Sequence, residues 1–407
     1  MCSPTSPRAC SATSSLSRGF RGARLGPGRV HLLRRSCAGI CAAAAAAPWL
    51  ALGPLRADGR RAAWRPACIP GPGATLLVAS KADRAGTTMA KALLSDSRFE
   101  WLERSPGKWH AGALASVHLW HCAEELTRLD GIEDDWAREV GMVPGAPPLR
   151  DVVFLSRHVA ASGKPSLTVH PIGNPRSDLD PFGGVAGKLS PPSPRLASLL
   201  CALAAAHGSP AFGELAEFDV TFEATHHGPL VGVPALFAEI GSTAGEWARA
   251  DAGRCWAEAL WAELAAAPRA PERALLVLGG GHYMPQASEA ALHHGLCVGH
   301  MLPSYVFAGA EAQVARDMVR EAVRATCRAH PSASELLVLV FKKKLKSAER
   351  KVVLEALEGC ASSVGPQLRI MSSTTELGEV MAQHGLRAGH PPCSVTETEV
   401  ARAGSAA

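Results

Sequence analysis

The chain of 407 residues lacks the short signatures that would fix a site by spacing alone. It has no CxxC pair. Its twelve cysteines are scattered, five of them before residue 69, so neither a disulfide framework nor a cysteine-rich zinc finger is supported, and a reducing compartment suits the thiols. It has no HExxH, so no metal ligand set follows from helical spacing. No Walker lysine follows the triple glycine at 279 to 281, and the GxGxxG spacing is absent, which leaves little for a nucleotide reading. No internal repeat is present.

Residues 1 to 68 lack lysine altogether and carry one acid, Asp58, against eleven arginines. The rest of the chain holds 31 basic and 36 acidic residues, so the positive balance of the whole comes from this leader. An Arg-rich, Ser-rich, acid-poor leader is the pattern of a plastid or mitochondrial transit peptide, with the cytoplasm as the alternative. Arg34 and Arg35 precede an apolar run from Cys37 to Leu55. That run is mostly alanine and contains Pro48 and Pro54, a poor composition for a membrane span. We expect residues 1–70 to be a targeting extension, 71–395 one catalytic domain, and 396–407 a frayed tail.

From residue 74 short β-branched or Leu-rich runs alternate with Ala-rich stretches of helical period. Strands are expected at Ala74–Ser80, Asp151–Leu155, Leu167–Val169, Phe218–Ala224, Ala274–Leu278, Leu296–Val298 and Leu336–Phe341. Helices are expected at Thr87–Leu94, Arg195–His207, Ala244–Ala267, Gln286–His294, Gln313–His330 and Ser347–Glu358. The alternation predicts an α/β fold with a mixed, mostly parallel central sheet and helices on both faces. A Gly-, Pro- and Asp-rich stretch from His170 to Pro194 reads as a long surface loop.

The histidines fall at the ends of these strands. Six of sixteen do so: His158, His170, His226, His227, His282 and His300. Side chains at the carboxyl ends of strands in an open α/β sheet converge on the ligand crevice, and a ring of imidazoles suits general acid/base work, a zinc site, or both. Adjacent strand residues face opposite ways, so His226 and His227 share a cleft only if the strand has ended, and Gly228-Pro229 supplies that break. Glu223 either orients an imidazole or activates water, or else pairs with an arginine. Gly279, Gly280 and Gly281 offer backbone N–H groups to a substrate or an oxyanion, with Tyr283 beside them. His118, His121 and Glu125 would share a helical face, best read as amphipathic surface; His293 and His294 suit the last turn of a helix. Ser80 and Asp83 follow the first strand. Lys342, Lys343, Lys344 and Lys346 are the best candidates for phosphate-backbone contacts in an otherwise acidic region.

Several strings together resemble one family: FLSRHVAASGKPSLTVHPIGN (154 to 174), TFEATHHGP (221 to 229), EIGST (239 to 243) with Trp247, GGGHYMP (279 to 285) and GHMLPSY (299 to 305). They resemble the archaeal and plant D-aminoacyl-tRNA deacylases over about residues 74 to 375, with no motif recognised between Trp101 and Arg150. The resemblance implies a fold similar to peptidyl-tRNA hydrolases and nucleoside phosphorylases, hydrolysis of the ester joining a D-amino acid to the tRNA 3′ end, and dependence on zinc. Removal of aldehyde-modified D-aminoacyl groups is a further implied activity. His226, His227, His282, His158 and Glu223 are then the catalytic candidates, His226, His227 and His282 the metal candidates, and the glycine loop with Tyr283, His170 and His300 the substrate contacts. A zinc-dependent amidohydrolase, a peptidyl-tRNA hydrolase-like enzyme and a non-catalytic tRNA-binding protein are the competing readings.

Overall fold

The computed structural model describes residues 73–141, 146–179, 181–266 and 271–383. The expected leader (1–70) and frayed tail (396–407) lie outside the described residues. In chain order the strands are β1 (Ala74–Ser80), β2 (Trp101–Ser105), β3 (Lys108–Ala111), β4 (Val117–Cys122), β5 (Leu149–Arg157), β6 (Ser166–His170), β7 (Gly173–Asn174), β8 (Lys188–Leu189), β9 (Asp219–Phe222), β10 (Ala235–Gly241), β11 (Arg273–Leu278), β12 (Cys297–Leu302), β13 (Glu335–Val340) and β14 (Gln367–Met371). The helices are α1 (Arg84–Ser95), α2 (Ile132–Glu139), α3 (Leu196–His207), α4 (Ala244–Trp247), α5 (Ala250–Ala265), α6 (Pro285–His294), α7 (Ser304–Phe307), α8 (Ala312–Ala329), α9 (Ser347–Cys360) and α10 (Thr374–Gln383).

The α/β class expected from the sequence holds, with the strands divided between two main sheets. An eight-stranded sheet runs β2-β3-β4-β1-β5-β10-β6-β9, and a four-stranded sheet runs β12-β11-β13-β14. The small sheet is parallel throughout, and β4-β1-β5-β10 form the parallel centre of the large one. The large sheet's edge continues into the small sheet through backbone bonds: Met284 N–H to Phe222 O (2.9 Å), Ala224 N–H to His282 O (2.7 Å) and Thr225 N–H to Met301 O (2.8 Å).

Burial on both faces explains why the central strands read as apolar runs rather than alternations. In β1, Leu77 and Ala79 join the main core, while Ala74, Leu76 and Val78 pack on the other face with Trp120, Trp136, Phe154 and Phe237. In β11, Leu275 and Val277 belong to that same main core, and Leu276 and Leu278 pack under α8 and α9. One apolar layer, built largely by α1, α3, α5 and α6, therefore underlies both sheets. Asp83 caps α1 by accepting Gly86 N–H at 2.8 Å. Arg195, at the start of α3, pairs with buried Asp151 of β5 (2.8 Å) and Glu263 of α5 (3.0 Å).

Several expectations need correction. The segment 101–150 carries three strands and a helix that the sequence reading left blank. His118 and His121 lie on strand β4, not on a helix, and the His118 ring packs edge-on against Trp136 at 4.7 Å. The helix expected over Ala244–Ala267 is two, α4 and α5, separated at Ala248 and Arg249. The strand expected to stop at Val298 continues to Leu302, because Gly299 sits inside it, against Thr326. No helix among the described residues is long and apolar enough to cross a membrane.

Candidate active site

Four strands of the large sheet and one loop of the small sheet supply the site. Strand β10 lies between β5, parallel to it, and β6, antiparallel to it; Glu239 is opposite Ser156 on one side and Thr168 on the other. His158 extends β5 by one residue, its N–H bonding Ile240 O at 3.0 Å, and the Trp247 indole N–H donates to its carbonyl at 2.9 Å. His158 depends on the glycine at 241, where a Cβ would sit 2.7 Å from His158 Cδ2 and 2.9 Å from Ser166 Oγ. His170 ends β6 opposite Phe237, with the two rings stacked at 5.1 Å.

After Glu223 the chain crosses to the small sheet and turns. His227 takes φ +40°, a left-handed conformation uncommon for a non-glycine residue. The turn is held by Gly173 N–H on His227 O (2.8 Å), and Gly228 lies so close to the 183–184 backbone that a Cβ would fall 2.2 Å from Gly184 N. The expected surface loop, from His170 to Pro194, thus backs the histidine turn, and exposed Phe182 meets the His227 ring edge-on at 6.1 Å.

Because β6 and β9 run opposite to β5 and β10, the imidazoles do not meet along one rim of carboxyl ends. They converge instead over the middle of β10, around two buried carboxylates. Glu223 Oε2 accepts His282 Nε2–H at 2.8 Å, and Glu223 Oε1 lies 2.9 Å from His158 Nδ1 as an ion-pair contact without hydrogen-bond alignment. Glu239 reaches His158 Nδ1 and His170 Nε2, each at 3.6 Å. The only two tyrosines of the chain complete the network: Tyr283 OH lies 2.7 Å from His158 Nε2, and Tyr305 OH lies 3.2 Å from His282 Nδ1.

Burial opposes charge on every group here, and the partners decide which groups keep it. His158 is driven up to about 11, since Glu223 and Glu239 outweigh burial, so it is a cation. Burial would raise Glu223, yet His158 and His282 hold it well below the usual carboxylate range. Glu239 is lowered likewise, by His158 and His170 against burial. Burial holds His226 well below the usual imidazole range and His227 down to about 4, reinforced in both by His170, so both are neutral. His170 is raised, its burial outweighed by Glu239 and then Glu223.

Two groups of side chains have the spacing and chemistry of a metal site, His170 with His226 and His227, and His158 with Glu223 and His282; in each, potential ligand atoms lie within 4.8 Å of one another. The first group also has the orientation a metal requires. Each ring sets Nδ1 against a nearby carbonyl, Pro171 O at 3.1 Å for His170, Ala224 O at 2.7 Å for His226 and Gly228 O at 2.6 Å for His227. In neutral His226 and His227 the Nδ1–H donated there leaves Nε2 as the free lone pair, the arrangement that outer-shell hydrogen bonds impose on metal-bound histidines, whereas His170, held toward its charged form by Glu239, offers Nε2 once that proton is lost. His170 Nε2 is buried with no hydrogen-bond partner.

Of the residues singled out from sequence, His158, His170, Glu223, His226, His227, His282 and Tyr283 come together. His300 does not join them: it is fully buried inside β12, its Nδ1 lies 3.1 Å from Thr225 Oγ1, and its Nε2 has no partner. Two of the three glycine N–H groups are already engaged, Gly279 with Leu302 O (2.7 Å) and Gly280 with Ser304 Oγ (2.9 Å), which leaves Gly281 as the donor free to act. Ser80 and Asp83 hold local structure; Asp83 accepts Arg157 N–H at 3.0 Å. Lys342, Lys343 and Lys344 form a short turn after β13 whose preceding Phe341 packs on Gly279 and Gly280, and Lys346 starts α9. Glu239 and Tyr305 were missed. Both lie within strings that carried the family resemblance, EIGST and GHMLPSY, and an acid inside the apolar run ALFAEIG was the further signal for the first.

The profile of the D-aminoacyl-tRNA deacylase family matches residues 147–364. A D-aminoacyl-tRNA deacylase of Arabidopsis thaliana is 32% identical over 330 residues, covering 72% of this chain and 98% of that protein. Those of Aeropyrum pernix and Archaeoglobus fulgidus are 36% and 29% identical, over 54% and 70% of this chain and 76% and 92% of their own lengths. A crystal structure titled as a conserved protein of unknown function superposes with a TM-score of 0.61 at 26% identity, covering 75% of this chain and 97% of its own.

Proposed function

This chain belongs to the D-aminoacyl-tRNA deacylase family, and on that premise we propose that the histidine–carboxylate pocket hydrolyses the ester between a D-amino acid and the 3′-terminal ribose of tRNA, a proofreading reaction. The observation that carries the reading is the buried Glu223 carboxylate held between His158 and His282. His282 Nε2–H is fixed on Glu223, so Nδ1, on the open side beside Tyr305, is the nitrogen that accepts a proton. A buried carboxylate orienting an imidazole in this way is the logic of hydrolytic triads.

In the proposed reaction His282 takes a proton from water as the water oxygen bonds to the ester carbonyl carbon. The developing oxyanion faces the Gly281 N–H and the Tyr283 hydroxyl, which is polarised by cationic His158. The carbon–oxygen bond to the ribose then breaks, the ribose oxygen recovers the proton from His282, and a free D-amino acid and tRNA leave. Zinc fits His170, His226 and His227, which offer ligand atoms within 4.8 Å of one another, and when bound it would supply Lewis-acid polarisation of the carbonyl. A pocket wall that clashes with the L side chain discriminates the enantiomers. The Lys342–Lys344 turn and Lys346 flank the glycine loop and supply phosphate contacts, and the composition of residues 1–68 supports import into a plastid or mitochondrion. Residues 71–395 act as one catalytic domain.

The test is a double variant, His226→Ala with His282→Ala. Turnover of D-aminoacyl-tRNA is expected to be lost while affinity for uncharged tRNA is kept within about threefold. Elemental analysis of His226→Ala and His227→Ala should show depleted zinc. Unchanged turnover in the double variant would leave a tRNA-binding protein without this catalysis.

A further inference from the structure

The carboxyl end of β1 and the first turns of α1 open onto a cavity of about 350 Å³ lined by Lys81, Arg84, Thr87, Thr88, Lys91 and Ala248. The lining contains three cations and no carboxylate. Elsewhere the basic side chains are commonly neutralised, Arg98 by Asp96 and Glu258, Arg249 by Asp251 and Glu217. Among the described residues Lys81, Arg84 and Lys91 have no such partner. The one acid inside this stretch, Asp83, is already engaged by Gly86 N–H at 2.8 Å, Arg157 N–H at 3.0 Å and Ser156 O–H at 3.2 Å.

The cavity lies beside the histidine site, because β1 and β5 are parallel neighbours and His158 follows the carboxyl end of β5. Arg157 stands between the two, its guanidinium lying over the Trp247 ring at 5.7 Å, donating to Ala82 O at 3.5 Å and paired with Asp83 at 3.6 Å. The next residue is His158, whose carbonyl holds the same Trp247 at 2.9 Å, and Ala248 of the cavity lining follows Trp247. The concentrated charge is felt nearby: His121, in contact with Thr87 at 3.2 Å, is lowered by its burial and then by Lys81 and Lys91. Unpaired cations around a concavity recognise phosphate, and a nucleic-acid strand whose terminal ester sits in the pocket must lay its next phosphates on adjoining ground.

We infer that this cavity, resting on the deacylase reading above, binds the backbone phosphates of the single-stranded tRNA 3′ end as its ester enters the histidine pocket. It is a site separate from the lysine turn after β13. Arg84 and Lys91 stand one above the other on α1 and meet successive phosphates, while Lys81, at the end of β1, leads to the reacting end.

The test measures binding of uncharged tRNA across a salt series to the full chain and to Lys81→Ser/Arg84→Ser/Lys91→Ser. Each exposed contact is worth roughly two- to fivefold, so about 10- to 100-fold weaker binding is expected, and the slope of log affinity against log salt should fall by about 2. The charge-retaining Lys81→Arg/Lys91→Arg variant should bind like the parent. If the triple variant fails to fold, Lys91→Ser alone should lower the slope by about 0.7. Unchanged affinity and slope overturn the inference. So does an equal loss in Arg324→Ser, on the exposed face of α8, or saturable binding of inorganic phosphate at an unaltered tRNA affinity. Because uncharged tRNA is the probe, failure of the wild-type chain to hydrolyse any aminoacyl-tRNA counts against the deacylase reading and leaves this measurement standing.

Discussion

Replacing Glu223 by glutamine keeps the shape of a fully buried side chain and removes its charge. The carboxylate lies 2.9 Å from His158 Nδ1, 2.8 Å from His282 Nε2 and 3.7 Å from His226 Nε2. At an effective dielectric of about 20, one unit charge about 4 Å from another is worth about 4 kcal/mol, which sets the scale of what cationic His158 loses. The amide has one acceptor oxygen where the carboxylate has two, so one imidazole must face an N–H donor. If that imidazole is His282, its proton moves to Nδ1 and the nitrogen toward water can no longer act as a base. We expect single-turnover hydrolysis of D-Tyr-tRNA to fall by roughly 10²- to 10⁴-fold, the range for a mispositioned general base. His158 can release its proton, so the stability loss should stay near 1–3 kcal/mol, and tRNA binding should persist. A folded Glu223→Gln protein that turns over within about threefold of the parent would refute the assignment of Glu223 as the hub.

Four further outcomes are expected. Gly241→Ala forces a Cβ to within 2.7 Å of His158 Cδ2 and should cut kcat by about 10²-fold, with KM little changed in steady-state assays. Trp256→Ala removes a fully buried indole whose N–H bonds Glu239 O at 3.1 Å, and urea melts should show a loss of about 3–5 kcal/mol. Tyr305→Phe removes the hydroxyl on His282 Nδ1 and should lower kcat by less than Glu223→Gln does, since the carboxylate still orients the ring. His118 is held down to about 4, chiefly by burial and then by His110 and Arg104, so the unfolded chain binds its proton more readily. Stability should therefore fall as pH drops from 6.5 toward 4, and His118→Phe should flatten that limb by about 1–2 kcal/mol in melts.

What the sequence made legible was which imidazoles gather at the candidate site, because each sits at or just past the end of an apolar strand, most of them beside Gly or Pro. His226-His227 before Gly228-Pro229 and His282 after the triple glycine are such places. Strand direction was not legible. Nothing in LTVH or FDVTF reveals that these strands run opposite to DVVFL, and so the convergence over Glu239 in mid-strand, rather than along a common rim, came only from the register. His300 misled for a related reason: Gly299 resembles a strand end, but it is a close-packing position within β12. The meander of β2, β3 and β4 escaped notice because its exposed residues, such as Leu102, Glu103 and Arg104, blur the alternation that marks a half-buried strand. The glycine loop follows its strand as expected, yet which N–H groups are occupied depends on Leu302 and Ser304, more than twenty residues away.

The most direct measurement is hydrolysis of D-Tyr-tRNA and L-Tyr-tRNA by the purified chain, each with and without a chelator followed by zinc. Cleavage of the D ester at least about 100-fold faster than the L ester, abolished by chelation and restored by zinc, is the expected result. Equal cleavage of both esters, or of neither, would contradict it.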